Sequence, residues 1–265
     1  MPMCKKTLLS CALAGLLLSP ACAPAPALAL TADELKPALE QLLRERPEVL
    51  LDFLREHSEA VLDVAQAGSN LRRQANLEKQ WAEDAKTVKT VKTEGRPSVG
   101  APDAKVRIVA FSDFTCGYCQ RAEKVLEELL QEYEGKVSFV FKNMPLEPKG
   151  LSGLASQYFV AISMQSEELA WKFYRELFAH RDELLADGEK YLRSVCQNLG
   201  VDMRKMDSER RRKKVASILA EDLKEAEDMK IEGTPYFLVN NLVIRGAVSK
   251  DLFRRAIEIE LNRVK

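Results

Sequence analysis

The sequence predicts an α/β fold: a β-α-β unit and a later β-β-α unit, separated by a long helical stretch and preceded by an all-helical extension. Three observations carry this. Val106-Arg107-Ile108-Val109-Ala110-Phe111 and Val137-Ser138-Phe139-Val140-Phe141 are short apolar runs, and an amphipathic helix from Cys116 to about Glu134 lies between them. Tyr236–Val239 and Leu242–Gly246 flank an Asn240-Asn241 turn and lead into a helix over Asp251–Val264. The stretch 151–229 keeps helical spacing throughout, with four helices at Leu151–Gln165, Glu167–Ala179, Gly188–Leu199 and Ser208–Met229. A helical connection between the first two strands makes them parallel.

The chain has 265 residues, 46% of them hydrophobic, enough for a buried core in one or two domains. Forty basic residues balance forty acidic ones, so the electrostatic footprint of a nucleic-acid binder is absent. Six cysteines are too few for a disulfide-dense scaffold.

Residues 1–29 read as a signal peptide. Lys5 and Lys6 precede a 12-residue apolar run, Thr7–Leu18, which is too short to span a bilayer, and Ala27-Leu28-Ala29 is a small-x-small cleavage site. No later segment is long and apolar enough to cross a membrane. The mature chain is then exported to the periplasm, an oxidising compartment, with 38 basic and 40 acidic residues. Cys4, Cys11 and Cys22 leave with the signal; Cys116, Cys119 and Cys196 stay. Ser19-Pro20-Ala21-Cys22 offers lipoprotein anchoring at Cys22 as the alternative, poorly served by Ser19 and Pro20.

Residues 30–93 read as a helical extension. Thr31-x-x-Glu34 is a capping box ahead of Leu35, Leu39, Leu42 and Leu43. Pro47 starts a second helix with Leu50, Leu51, Phe53 and Leu54, and Ser58 caps a third with Val61, Leu62 and Val64. Gly68 interrupts that pattern, and a long solvated helix follows to about Lys92, with Leu71, Leu77, Trp81, Ala85 and Val88 as its thin apolar stripe. Stripes this thin do not hold a small domain together, so they pack on the rest of the chain or on another copy. The Gly/Pro-rich stretch 94–104 reads as a linker and favours the second, a homo-oligomer. Removing Leu30–Lys92 is then expected to leave a folded, redox-active monomer.

Cys116-Gly117-Tyr118-Cys119 follows a buried strand and opens a helix. Free amides and the dipole at a helix N-terminus favour thiolate, lowering a cysteine pKa into a range of about 3.5–7.5. Cys116 is the exposed nucleophile, Cys119 resolves the mixed disulfide, and Gly117 and Tyr118 tune thiolate stability. Two alternatives compete. A zinc half-site lacks its second ligand pair, since His57 and His180 are distant singles. A structural disulfide closing a two-residue loop is a poor staple. The site itself calls for no metal and no cofactor.

Phe111-Ser112-Asp113-Phe114-Thr115-Cys116-Gly117-Tyr118-Cys119 resembles the active-site segment of the thioredoxin-fold Dsb proteins of bacterial envelopes, and Gly233-Thr234-Pro235 resembles their cis-proline loop. The resemblance covers about Val99 to Lys265; with the leader and helical extension, the whole is similar to trimeric ScsC-type and Com1-type relatives. It implies a thioredoxin-like fold with an inserted helical domain at about 151–229. It also implies a cis Thr234–Pro235 bond against Cys116, with the Thr234 backbone pairing an extended substrate. The implied partners are unfolded or misoxidised secreted proteins and a membrane redox partner, not nucleic acid. Two departures stand out. Ala110 occupies the place where such enzymes carry a buried acid, leaving Asp113 as the nearest, and Tyr118 replaces the histidine of strong oxidases. Cys-Gly-Tyr-Cys with threonine before the proline leans toward disulfide isomerase or mixed activity. A monomeric DsbA-like disulfide-donating oxidase is the alternative, and a non-enzymatic binding module is the reading from a different class.

Other features read as structural. Cys196, Phe173, Leu177 and Phe178 fall on inward helical faces, Arg210–Lys214 is a solvated basic run, and His57 and His180 lie on the surface.

Overall fold

The computed structural model describes residues 32–263. The signal peptide, Cys22 and the Thr31 cap lie outside the described residues. The chain divides into two compact units, Met1–Ala67 and Gly68–Lys265.

In the first unit, α1 (Ala32–Glu45) and α2 (Pro47–Glu56) precede the start of α3 (Ser58–Asp84). Pro47 is the first residue of α2, where its missing N–H costs nothing. None of this unit's described residues is buried; Leu39 is 50%, Phe53 57% and Val64 74% exposed.

Helix α3 departs from expectation at both ends of its second half. It runs unbroken through Gly68 and stops at Asp84 rather than near Lys92. A single interior glycine costs a helix only about 1 kcal/mol, which neighbouring turns absorb. After Asp84 the chain turns, with Lys86 N–H on Glu83 O and Thr87 N–H on Asp84 O, and then runs without regular structure to about Thr93. Trp81 is not on a solvated stripe either: it is 1% exposed and donates its indole N–H to Val243 O at 2.7 Å.

The second unit is built on one sheet. Its strands are β1 (Ser98–Gly100), β2 (Val106–Ser112), β3 (Val137–Asn143), β4 (Tyr236–Val239) and β5 (Leu242–Arg245), in the order β1-β3-β2-β4-β5. The expected β2–β3 pair is parallel, with Ile108 opposite Phe139; β1, β4 and β5 join antiparallel. The period of two divides the core. Val106, Ile108 and Ala110 face the main layer with Leu126 and Leu129 of α4 (Gly117–Glu132) and Phe253 and Ile257 of α11 (Lys250–Arg263). Val109 and Phe111 face the opposite layer with Val140, Leu238 and Val243. The β4–β5 turn is at Asn240, whose φ of 50° suits asparagine.

Residues 94–104 are not a free linker. They contain β1, where Gly100 (φ +96°) lies so close to β3 that a Cβ would fall 2.4 Å from Val137 O. They also contain buried Arg96, whose guanidinium sits 2.9 Å from the fully buried carboxylate of Asp222. Lys142 Nζ approaches the same carboxylate at 3.3 Å, and Asn143 N–H donates to it at 3.0 Å. Several donors around one buried charge offset its desolvation. Glycine and proline marked a break in regular structure there, not freedom from contact.

Between β3 and β4 lie six helices rather than four: α5 (Leu151–Ser163), α6 (Glu167–Ala179), α7 (Arg181–Asp187), α8 (Glu189–Asn198), α9 (Met203–Arg210) and α10 (Lys213–Asp228). His180 ends α6 and begins α7 with no intervening residue to signal it. Asp202 opens α9 by accepting the Arg204 and Lys205 N–H groups, both at 3.0 Å. The helix expected from Ser208 breaks at Arg211-Arg212 and resumes as α10. Phe173, Leu177, Phe178 and Cys196 are buried, as their spacing indicates. No described helix is long and apolar enough to cross a membrane.

Candidate active site

Strand β2 delivers the chain to the loop Asp113-Phe114-Thr115, which sets the start of α4. Asp113 is buried and organises this loop. Its Oδ1 accepts from Thr115 N (2.7 Å) and Thr115 Oγ1 (2.8 Å), and its Oδ2 accepts from Leu146 N (2.8 Å) and Ser152 Oγ (2.7 Å). Its carboxylate is thereby committed to holding structure. Phe114 anchors the same loop from below, packing on Phe141 and Phe178 at 5.1 and 5.2 Å between centroids.

Cys116 is the N-cap of α4, in extended conformation (φ −79°, ψ 121°), so the first free amides of the helix point toward its sulfur. Cys116 is half-buried and Cys119, one turn in, is 2% exposed; both are free thiols. Cys116 Sγ lies 3.7 Å from Thr234 O, and the Thr234–Pro235 peptide is cis. Pro235 O accepts Gly246 N–H at 2.8 Å, tying the loop to the end of β5. The fold thus brings Cys116, Cys119, Thr234 and Pro235 together from 118 positions apart in sequence.

The two thiols are driven in opposite directions. The Cys119 thiol beside it, aided by the Thr234 hydroxyl and the backbone N–H groups of Cys119 and Tyr118, brings Cys116 down to about 5 against the opposing effect of partial burial. Burial, and then the hydrogen bond to Cys116, hold Cys119 well above an ordinary thiol; the Ser112 and Thr234 hydroxyls oppose this more weakly. The Thr234 hydroxyl is buried with no hydrogen-bond partner, which leaves it free to turn toward the sulfurs. The result is an accessible thiolate backed by a protonated, buried thiol. That combination can attack a disulfide, hold the mixed disulfide and release it by a second attack.

Gly117 lies beneath the guanidinium of Arg181, whose Cζ is 3.8 Å from where a Cβ at 117 would stand. Tyr118 is 60% exposed, with the Arg121 guanidinium 4.2 Å above its ring.

Four residues near the thiols escaped the sequence reading: Ser112, Glu123, Tyr174 and Arg181. Ala110 is buried and supplies no acid. Glu123 stands four residues beyond Cys119 on α4 and accepts the Tyr174 hydroxyl; burial pushes its carboxyl up to about 8. Helical i,i+4 spacing from Cys119 could have flagged it. Tyr174 and Arg181 come from the helical insertion and carry no local signal.

A family model described as Thioredoxin matches residues 92–259. The chain belongs to the thioredoxin family. Among curated relatives, the probable disulfide bond formation protein D of Bacillus anthracis is 29% identical over 174 residues, covering 63% of this chain and 78% of the relative. A Na(+)/H(+) antiporter NhaA 1 of Mycobacterium sp. (strain KMS) is 28% identical over 162 residues, covering 60% of this chain and 26% of the relative. The chain thus spans about a quarter of the length of that antiporter and its counterparts. Among solved structures, Proteus mirabilis ScsC in a transitional conformation has a TM-score of 0.58 at 20% identity, covering 87% of this chain and 97% of that one. That likeness extends to the fold.

Proposed function

We propose that this chain is an exported, periplasmic thiol–disulfide oxidoreductase that exchanges disulfides with secreted proteins through a mixed disulfide at Cys116, resolved by Cys119. The observation that carries this is the opposed pair of thiols at the start of α4: Cys116 accessible and brought down to about 5, Cys119 buried and held up. The Cys116 thiolate attacks one sulfur of a substrate disulfide, forms Cys116–S–S–substrate and expels the other sulfur as a thiolate. A second substrate thiolate then attacks the substrate sulfur and expels Cys116, which isomerises the substrate. Alternatively Cys119 loses its proton and attacks Cys116 Sγ, forming the internal disulfide and releasing reduced substrate. Run backwards, that last route donates a disulfide. A strongly stabilised Cys116 thiolate is a good leaving group in either direction.

Between these, isomerase or mixed activity is the reading we favour. It is supported by the Cys-Gly-Tyr-Cys sequence, by threonine before the cis-proline, and by the unburied apolar residues of α1 and α2, which suit self-association. Several sites held in one oligomer suit disulfide shuffling. A monomeric oxidase recharged by a membrane redox partner is the alternative. The test gives the pre-reduced protein a scrambled multi-disulfide substrate and follows recovery of native substrate. Recovery supports the isomerase reading. No recovery, with fast oxidation of a reduced substrate by the oxidised form, establishes the donor instead. No exchange in either assay leaves only a binding module.

A further inference from the structure

Arg181 is the first residue of α7, 65 positions beyond Cys116, yet its side chain lies on the C-x-x-C motif at Gly117. Its Nε donates to Thr115 O at 2.7 Å, and Thr115 is itself fixed by buried Asp113. This fixes the guanidinium plane over the first turn of α4, with Cζ, Nη2 and Nη1 at 3.8, 3.9 and 4.0 Å from the Cβ direction of Gly117. Its charge is poorly spent within the protein. Nη1 reaches Asp182 Oδ1 only at 3.4 Å, and the Asp182 side chain is 90% exposed, so water competes for it. Nη2 has no hydrogen-bond partner among the described residues. Because residue 117 is glycine, no side chain stands between this cation and a polypeptide joined to Cys116.

We propose that Arg181 is a specificity-determining residue: its guanidinium, held over Gly117, receives the carboxylate of an Asp or Glu flanking the reacting cysteine of the substrate. This rests on the exchange function proposed above. The reach is appropriate. Cα atoms bridged by a disulfide lie about 5.5–6 Å apart, so a residue next to the substrate cysteine passes beside the residue next to Cys116. The planar fork of arginine matches a carboxylate in two parallel hydrogen bonds, which a lysine does not reproduce.

The test uses the oxidised full-length mature protein and two peptides, each with one reduced cysteine, flanked by Glu in one and Gln in the other. Each second-order rate constant is divided by that peptide's rate with hydroxyethyl disulfide, an uncharged reference that removes differences in intrinsic thiol reactivity. The Glu peptide is expected to be favoured roughly two- to fivefold at low salt, the range of a partly exposed ion pair. The preference should vanish at about 1 M salt, where screening acts within about 3 Å. Arg181→Gln should abolish it, read as the ratio of the two peptides so that any general change in rate cancels, and Arg181→Lys should retain part of it. Equal rates for the two peptides in the unaltered protein overturn the proposal alone, as does a preference that survives Arg181→Gln. No exchange with either peptide overturns the function on which it rests, and the proposal with it.

Discussion

Asp113 accepts a 2.7 Å hydrogen bond from Ser152 Oγ across the gap between the active-site loop and the first helix of the insertion. The same carboxylate holds both Thr115 donors and the Leu146 amide, so one buried side chain sets the loop before Cys116, the loop after β3 and the seat of Arg181. Removing it strands four donors, the Ser152 hydroxyl buried and the other three part-buried, and a buried donor left unsatisfied costs about 1–3 kcal/mol. Asp113→Ala should therefore lower the urea-unfolding free energy by about 3 kcal/mol, below the plain sum because the loop can relax. It should also raise the apparent pKa of Cys116, since the amides of α4 would be aimed less well. A loss under about 1 kcal/mol would mean the clamp is incidental.

The burial difference between the thiols supports distinct roles for them, which variants separate. Cys116→Ser should abolish exchange while leaving the fold intact, because residue 116 is a half-buried cap. Cys119→Ser should still attack disulfides, since Cys116 remains accessible, but should accumulate the mixed disulfide for want of a resolving thiol. Non-reducing gels and mass spectrometry of protein–substrate adducts read this directly. Adducts formed through Cys119 in a Cys116→Ser protein would reverse the assignment.

The lowered Cys116 pKa links pH to stability. In the reduced protein Cys116 is brought from 9.0 to about 5, so between those values the unfolded chain binds a proton that the folded chain does not. Stability of the reduced form must then rise with pH across that window, be complete above about 9, and be lost as pH falls through about 5. Cys119 is raised, so below about 9 it is protonated in both states and adds no slope there. The oxidised form has neither titration. Urea midpoints of the two forms at pH 5.5 and 8.5 should thus shift in favour of the reduced form at the higher pH, and Cys116→Ser, compared with the reduced parent, should lack that gain. A pH-independent difference between the forms would show that the thiolate is not stabilised by the fold. Absorbance of the thiolate at 240 nm should titrate near 5 independently of any substrate.

What the sequence disclosed and what it concealed divide along local and non-local physics. Val106–Phe111, Val137–Phe141 and the Asn240-Asn241 turn were readable because strand period and turn chemistry are local. The site was readable because Cys116 and Cys119 share one helix start and Gly233-Thr234-Pro235 carries its own motif. Arg96 was hidden in a stretch whose composition says only that regular structure stops, while its partner Asp222 lies 126 residues away. Arg181 was hidden in the same way, on a helix of seven residues that no spacing rule singles out. Glu123 was half-hidden: its spacing from Cys119 is local, but its hydrogen-bond partner Tyr174 lies in the insertion.

Trp81 decides where the helical extension can be cut. It is fully buried, and its indole N–H satisfies Val243 O on β5. The irregular residues after it are equally committed: Lys89 N–H donates to Asn241 Oδ1 at 2.9 Å, Lys92 N–H to Glu225 Oε1 at 2.9 Å, and Lys92 O accepts from buried Lys142 at 2.9 Å. Removing Leu30–Lys92 would therefore open a tryptophan-sized cavity and strand a buried carbonyl, where the composition had suggested a clean domain boundary. Trp81→Ala alone should cost about 3–5 kcal/mol, and Trp81→Phe less, since most of the ring volume survives while the hydrogen bond does not. A chain of residues 68–265 should fold and keep its thiol chemistry; one of residues 93–265 should not fold cooperatively. Sedimentation then isolates the role of residues 30–67. The 68–265 chain should be monomeric and the mature protein should associate, because the apolar residues of α1 and α2 find no cover in their own unit. A monomeric mature protein would sink the association claim, and with it the strongest structural argument for shuffling over donation.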